Sequence, residues 1–141
     1  MTDAFILYKS GYKYQLDADY RIKTSIKPDS DVVTDYIDLD LSGNLTVKRG
    51  YAWDGTSGPV IDTDANLRAS LVHDAFYQLM RNRKLKSTLH KESADKLFRN
   101  MCKQDGVPSP VAQLYYFALE KMGKPSTDPA NAKTICRAPE E

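Results

Sequence analysis

The chain has 141 residues, 41% of them hydrophobic and 28% charged, with a formal net charge of +1 at pH 7. This length is sufficient for one domain that buries about two-thirds of the surface of its unfolded chain. The near-zero net charge provides no general attraction to nucleic acid or to anionic membranes, so we do not expect nucleic acid as a partner.

The first half of the chain, at about residues 4–50, predicts an antiparallel β portion. Runs rich in Tyr, Ile, Val, Thr and Leu occupy residues 5–9, 12–16, 21–26, 33–39 and 45–48. Polar and apolar residues alternate between positions 36 and 48, and a Ser-Gly-Asn sequence at 42–44 interrupts the alternation, which indicates a hairpin. A loop punctuated by glycines follows at about residues 51–61.

The second half predicts three helices, at about residues 65–82, 88–104 and 110–122. The third helix has the clearest ends, because Ser109 can cap it and Gly123 follows its last turn. Its apolar residues repeat at i, i+3 and i+4 spacing and predict one buried face. This face consists of Val111, Leu114, Tyr115, Ala118, Leu119 and Met122.

These elements predict an α+β fold in a single domain over residues 1–123. The first two helices are expected to form an antiparallel hairpin, since the connection between them is short. Residues 124–141 contain three prolines and few large apolar side chains. We therefore expect an extended C-terminal tail.

The cellular location is suggested by the cysteines and by the N-terminus. Cys102 and Cys136 cannot build a disulfide framework, and we interpret both as reduced thiols. The N-terminus lacks the apolar core of a signal peptide, and no segment approaches the roughly 18 apolar residues of a membrane span. We expect a protein that works inside a cell, or inside a particle assembled there, and that is not an integral membrane protein.

A tandem His73-Asp74 lies inside the apolar pattern of the first predicted helix. Tyr77 is four residues beyond His73 and shares its helical line, whereas Asp74 is about 100° further round. The turn between the first two helices is centred near residue 84, midway between His73 and Asp95, so these two should face each other. A half-buried Asp95 needs hydrogen-bond donors. We predict that His73 and Tyr77 supply them, and that Asp95 fixes the histidine tautomer for general-base catalysis.

The loop before the first helix, Tyr-Ala-Trp-Asp-Gly-Thr-Ser-Gly-Pro at 51–59, predicts a cation site. Its glycines permit positive φ angles and could turn carbonyl oxygens inward. Calcium takes six to eight oxygens, including backbone carbonyls. We predict a calcium site anchored by Asp74, to which the loop residues Trp53, Gly55 and Ser57 contribute oxygens. Asp54, Asp62 or both could add negative charge. The cation would polarise an ester carbonyl while His73 deprotonates a water molecule.

The arrangement His-Asp-x-x-Tyr on one helix, a glycine-rich loop before it and an Asp on the next helix resembles the catalytic core of the secreted phospholipase A2 superfamily, notably its small microbial members. The resemblance implies that His73 is the general base, that Asp74 binds calcium with loop carbonyls, that Asp95 orients His73 and that Tyr77 supports the pair. Three features depart from that family: the disulfides are missing, Asp54 stands in the loop, and the β-rich first half has no counterpart in the microbial core.

A second resemblance rests on the longer string Gly-Tyr-Ala-Trp-Asp-Gly-Thr-Ser-Gly-Pro-Val-Ile-Asp-Thr at 50–63, followed by Ser-Leu-Val-His-Asp-Ala-Phe-Tyr-Gln-Leu at 70–79. This string is similar to an uncharacterised family of phage and prophage proteins over most of residues 20–105. The similarity implies a location in the host cytoplasm or in the phage virion. It implies no activity.

Two functional hypotheses follow from these observations. The first is a phage-encoded, calcium-dependent esterase similar to phospholipase A2, with phospholipid or another ester as its substrate. The second is a non-catalytic phage protein, either a virion component or a host-interaction module with a virion or host protein as its partner, in which the same residues form a structural network. Loop carbonyls that converge on Asp74 and a His73 that faces a cleft favour the first hypothesis, and an enclosed His73 favours the second.

Two further groups of residues have simpler interpretations. Ser70 lies one turn before His73 on a rigid helix without a nucleophile elbow, so we interpret it as a capping or surface serine. Five basic residues surround the turn between the first two helices, and we interpret them as a solvated basic tip that could alternatively dock phosphates. They are Arg81, Arg83, Lys84, Lys86 and Lys91.

Overall fold

The computed structural model describes residues 2–3, 5–6, 8–9, 14–55 and 63–129. In these ranges antiparallel strands precede the helices, which confirms the α+β fold. The strands are β1 (Tyr8–Lys9), β2 (Tyr14–Leu16), β3 (Tyr20–Lys23), β4 (Val32–Val33), β5 (Ile37–Leu39), β6 (Asn44–Val47) and β7 (Ala52–Trp53). The helices are α1 (Asp64–Arg81), α2 (Ser87–Gln104), α3 (Ser109–Met122) and α4 (Lys124–Thr127).

The strands form two small antiparallel sheets, with strand orders β1-β2-β7 and β3-β6-β5-β4. The predicted hairpin at residues 42–44 is confirmed as the connection between β5 and β6. Gly43 adopts a φ of 89° there, and the Asp40 carboxylate accepts the backbone N–H groups of Ser42 and Asn44, both at 2.9 Å. An aspartate at this position closes the turn in the way expected of Asx turns.

The segment predicted as one strand at 33–39 is instead a hairpin of β4 and β5. Thr34 makes the turn, because its hydroxyl donates to the Ile37 carbonyl at 2.7 Å and accepts the Ile37 N–H at 2.9 Å. A second difference concerns β7, which pairs with β2 inside the segment predicted as loop. In both places the hydrogen bonds determine the local structure. The residue composition of each segment does not reveal which bonds form.

Helix α1 is the centre of the molecule. Residues 66–73 are all buried, which a one-sided amphipathic helix would not show. The helix packs against α2 and α4, and the core that surrounds it includes Trp53 of β7 and Leu45 of β6. None of the described helices is long and apolar enough to cross a membrane.

The face that α3 buries overlaps only in part with the predicted one, sharing Leu119 and the half-buried Tyr115 and Ala118. Leu114 is 66% exposed, whereas Ala112, Tyr116 and Leu119 are buried. Their i, i+4, i+7 spacing places the contact with α2 on a neighbouring helical line. The side chain of Met122 lies outside the described part of the chain.

The chain after Gly123 is not extended throughout. Residues Lys124–Thr127 form one helical turn, and Thr127 is buried. Arg81 Nη1 at the end of α1 donates to the Ser126 carbonyl at 2.8 Å and holds this turn against α1. Residues 130–141, with Cys136 among them, lie outside the described ranges, and Cys102 is a buried free cysteine.

We expect Gly43→Ala to lower the free energy of unfolding by about 3 kcal/mol, because an added Cβ would overlap the Thr24 carbonyl oxygen in a strained backbone. Gly106→Ala is the matched control, since Gly106 also has a positive φ but a Cβ there meets open space. Its cost should be about 1–2 kcal/mol. Urea denaturation measures both, and equal losses would contradict the packing argument.

Candidate active site on the helix pair

The antiparallel register of α1 and α2 is fixed far from the turn by an ion pair. Arg68 on α1 binds Asp105 at the end of α2 through two parallel bonds, Nε to Oδ2 at 2.8 Å and Nη2 to Oδ1 at 2.9 Å. A third bond, from Nη1 to the Tyr20 hydroxyl at 2.8 Å, ties the pair to β3. Bidentate pairing of this kind specifies geometry as well as adding energy. The two helices are therefore held in one alignment from residue 68 to the turn at 82–86.

This alignment brings His73 and Asp95 together, as their equal distance from the turn predicted. Nε2 of His73 lies 2.7 Å from Oδ1 of Asp95. The Tyr77 hydroxyl donates a short hydrogen bond to the same oxygen. The predicted contacts among these three side chains are confirmed, while their catalytic roles stay predictions.

Asp95 is more deeply placed than the half-buried position we expected, with only 1% of the residue exposed. Burial alone would raise the pKa of its carboxyl group, but the hydrogen bonds and charge of His73, Lys91 and Tyr77 together lower it. Asp95 is therefore a carboxylate. Burial and the neighbouring Asp95 charge raise the pKa of Tyr77, so its phenol keeps its proton and donates it.

His73 is almost fully enclosed, because α1 packs against both α2 and α4. It is 7% exposed, and its ring packs against those of Tyr77 and Phe98, with centroids 3.9 and 5.3 Å away. Nε2 is engaged by Asp95, and no described residue hydrogen-bonds Nδ1. Every fully buried side-chain nitrogen and oxygen of the described ranges has a hydrogen-bond partner.

Gly123 makes room for this cluster. A Cβ at this position would overlap the Tyr77 hydroxyl and the Leu119 carbonyl. Its φ of −79° is accessible to any residue, so the glycine is not required for a left-handed helix end. Gly123 therefore has a steric role beside Tyr77 in addition to its predicted position at the end of the helix.

Lys91 belongs to the site and not to the solvated basic tip. Its side chain is 16% exposed, and Nζ donates to Asp95 Oδ2 at 2.7 Å and to the Leu119 carbonyl of α3 at 3.0 Å. The sequence does contain a signal for this contact, because Lys91 and Asp95 are four residues apart on one helix. The basic run around the turn concealed it.

Asp74 lies in a different environment from Asp95. It is half buried, and its Oδ2 accepts a hydrogen bond from the Tyr51 hydroxyl at 2.8 Å. Burial raises the pKa of the Asp74 carboxyl group; the bond from Tyr51 and the charge of Arg81 oppose that rise, and the charge of Asp54 adds to it. Sequence reasoning missed the contact with Tyr51, and despite this contact burial makes a negative charge on Asp74 costly.

The loop residues proposed as calcium ligands are described only in part. Gly55 has the predicted positive φ, at 90°. Trp53 is buried, and its indole N–H donates to Ser70 Oγ at 3.0 Å. Ser57 and Asp62 lie outside the described residues, so convergence of the loop carbonyls stays a prediction.

Ser70 is neither a cap nor a surface residue, contrary to our interpretation. It is buried, accepts the Trp53 bond and donates to the Leu67 carbonyl at 2.7 Å. Its hydroxyl joins β7 to α1. That position gives it a structural role close to the loop.

A family model matches residues 30–119 and is described as "Protein of unknown function (DUF1353)". The matched region contains β4 to β7, both helices of the site and most of α3. Searches of curated proteins and of solved structures gave no significant match.

We expect Asp95→Asn to lower the free energy of unfolding by about 3 kcal/mol at pH 7, because Lys91 is left buried without a counter-charge. The pKa of Asp95 is lowered by folding. The wild-type advantage is therefore complete above the unfolded pKa and is lost as the pH falls through the folded one.

Urea denaturation between pH 7 and pH 2 measures this difference. Glu92→Gln is the matched control, since Glu92 forms an exposed i,i+4 pair with Lys96 on the same helix. It should leave the free energy of unfolding close to that of the wild type. A difference between Asp95→Asn and wild type that stays constant over the pH range would contradict the ion-pair argument.

Proposed function

The chain belongs to the family described as "Protein of unknown function (DUF1353)", and we propose that it is a hydrolase in which His73 activates a water molecule. The supporting observation is the orientation of one imidazole ring. Nε2 of His73 is held 2.7 Å from a buried carboxylate oxygen, while Nδ1 has no hydrogen-bond partner among the described residues. A histidine oriented in this way by an acid is the arrangement that general-base catalysis requires.

The proposed reaction is hydrolysis of an ester. Nδ1 of His73 takes a proton from water as the water oxygen bonds to the carbonyl carbon. The carbon–oxygen bond to the leaving group then breaks, and the leaving alkoxide takes the proton from Nδ1. Asp95 stabilises the imidazolium form in between, and Tyr77 holds the Asp95 oxygen in place. His73 is the catalytic residue, whereas Asp95 and Tyr77 position it.

We propose calcium as the cofactor, held by Asp74 and by the loop oxygens of Trp53, Gly55 and Ser57. Asp74 fits this cation, because burial and the charge of Asp54 make the charge of Asp74 less favourable and a cation would offset both effects. The described residues contain no group of three or more His, Cys, Asp or Glu side chains that could bind a metal. Backbone oxygens would therefore complete the ligand set, as calcium permits. The ion would polarise the ester carbonyl when bound.

The substrate class and the origin of the protein belong to the same proposal. The phospholipase A2 resemblance supports a phospholipid substrate, with another ester as the alternative. The resemblance to phage and prophage proteins supports a phage-encoded protein in the host cytoplasm or in the virion.

A non-catalytic role is the second candidate, and it is favoured by the enclosure of the His73–Asp95 pair, called the dyad below. His73 is 7% exposed, and Lys91 neutralises the Asp95 charge. A network that only locks α1, α2 and α3 together would have both properties. In that case the chain would be a virion component or a host-interaction module.

Hydrolysis of phospholipid vesicles, measured with calcium or with a chelator, separates the two candidates. We expect His73→Gln to lower the calcium-dependent rate by at least about 100-fold, the contribution of a general base. His90→Gln is the matched control, since His90 lies in the first turn of α2 and is not part of the dyad. Equal rates for wild type and His73→Gln, with and without calcium, would eliminate the hydrolase.

We expect Asp74→Asn to abolish calcium stimulation and yet to raise the Tm by about 2–4 °C in chelator at pH 7, the shift that about 1 kcal/mol gives a chain of this size. An amide can still accept the Tyr51 bond and carries no buried charge. Folding raises the pKa of Asp74, so wild type is penalised above that pKa. Thermal melts at decreasing pH should show the difference vanish as Asp74 gains its proton. A less stable Asp74→Asn protein would contradict the prediction.

A further inference from the structure

We propose that Lys91 is a positioning residue of the His73–Asp95 dyad, fixing the Asp95 carboxylate so that one oxygen always faces His73. Only the kinetic consequence of this proposal rests on the proposed hydrolase. The two oxygens of Asp95 have separate partners. Oδ1 binds His73 and Tyr77, and Oδ2 accepts a hydrogen bond from Lys91.

The physical need for Lys91 arises from the torsion of the carboxylate. Rotation about the last bond of an aspartate side chain is soft, with a broad and roughly two-fold preference. The donors on Oδ1 alone therefore restrain the carboxylate plane weakly. A donor 2.7 Å from Oδ2 adds a second point and fixes that plane. The direction of the Nδ1 atom of His73 then follows from the fixed Asp95.

Lys91 is itself held at more than one point. Nζ also donates to the Leu119 carbonyl of α3 at 3.0 Å, and it lies 6.0 Å from the centre of the Tyr77 ring. Holding a lysine side chain in one rotamer costs conformational entropy. A solvated lysine would not bear that cost. The Leu119 bond also makes the docking of α3 a condition for the dyad geometry.

A groove of about 360 Å³ reaches the far side of this contact, away from His73. Lys91 and Asp95 form part of its wall, and the ammonium of Lys91 can direct its third N–H into it. The groove is otherwise lined by Ser87, Thr88, Glu92, Tyr116 and Glu120. The groove therefore reaches the Lys91–Asp95 contact from between α2 and α3.

The test compares Lys91→Met, which keeps most of the side-chain length but not the donor, with Lys91→Gln, which has the same reach as methionine and carries an N–H donor for Oδ2. Lys96→Met is the matched control, because Lys96 is exposed on the same helix and forms a surface pair with Glu92. The first readout is the NMR signal of the His73 ring N–H that binds Asp95. It should be low-field and slowly exchanging in wild type, Lys91→Gln and Lys96→Met, and lost in Lys91→Met.

The second readout is kinetic. We expect kcat of Lys91→Met to fall about 10- to 100-fold with KM unchanged, as expected of a misplaced general base. Lys91→Gln should recover most of the loss. A folded Lys91→Met protein with an unchanged ring signal and unchanged kcat would overturn the proposal.

A third readout uses the wild type alone, in case Lys91→Met fails to fold. Amine acetylation followed by mass spectrometry should modify Lys91 much more slowly than Lys96, and equal rates would also overturn the proposal. The ring signal and the acetylation rate need no turnover. An inactive protein with the expected NMR and acetylation results would therefore refute the hydrolase and support the role of Lys91.

Discussion

The arrangement of the helices depends on one constraint, a carboxylate that is almost completely removed from water. Asp95 is 1% exposed, and a charge in such a position is tolerated only when donors surround it. Its donors come from α1 and from α2, and Lys91 extends the network to α3 through Leu119. The alignment of α1 with α2, the docking of α3 and the absence of a side chain at Gly123 all serve this single group.

Asp74 follows His73 directly in the chain and yet has the opposite energetics. Helix geometry turns it about 100° away from the dyad, toward Tyr51 and the loop. The hydrogen bond from Tyr51 and the charges of Arg81 and His73 do not offset its burial, so the pKa of Asp74 is raised while that of Asp95 is lowered. The surroundings of Asp95 therefore favour its charged form, whereas those of the half-buried Asp74 disfavour it.

The sequence could predict those features that follow from helix periodicity. Equal spacing about a short turn placed His73 opposite Asp95, and the i,i+4 rule placed Tyr77 beside them. It could not reveal which face of α3 is buried, because that depends on the shape of α2. The turn at Thr34 depends on a local side-chain hydrogen bond to Ile37, which interrupts a segment of strand-like composition. The Tyr51–Asp74 contact joins residues that are far apart in the chain. Lys91 was missed because a basic run at a turn resembles a solvated surface.

The contrast between the two aspartates bears on the choice between catalysis and structure. A network selected only for stability should contain groups that each lower the free energy of the folded state. Asp95 with its three donors meets that condition, and a purely structural role would account for it. Asp74 does not meet it, since a neutral side chain of the same shape would serve Tyr51 equally well. The proposed calcium ion would account for an acid kept at such a cost near a loop that contains a left-handed glycine. A cation site would thus give Asp74 a reason that a purely structural network does not supply.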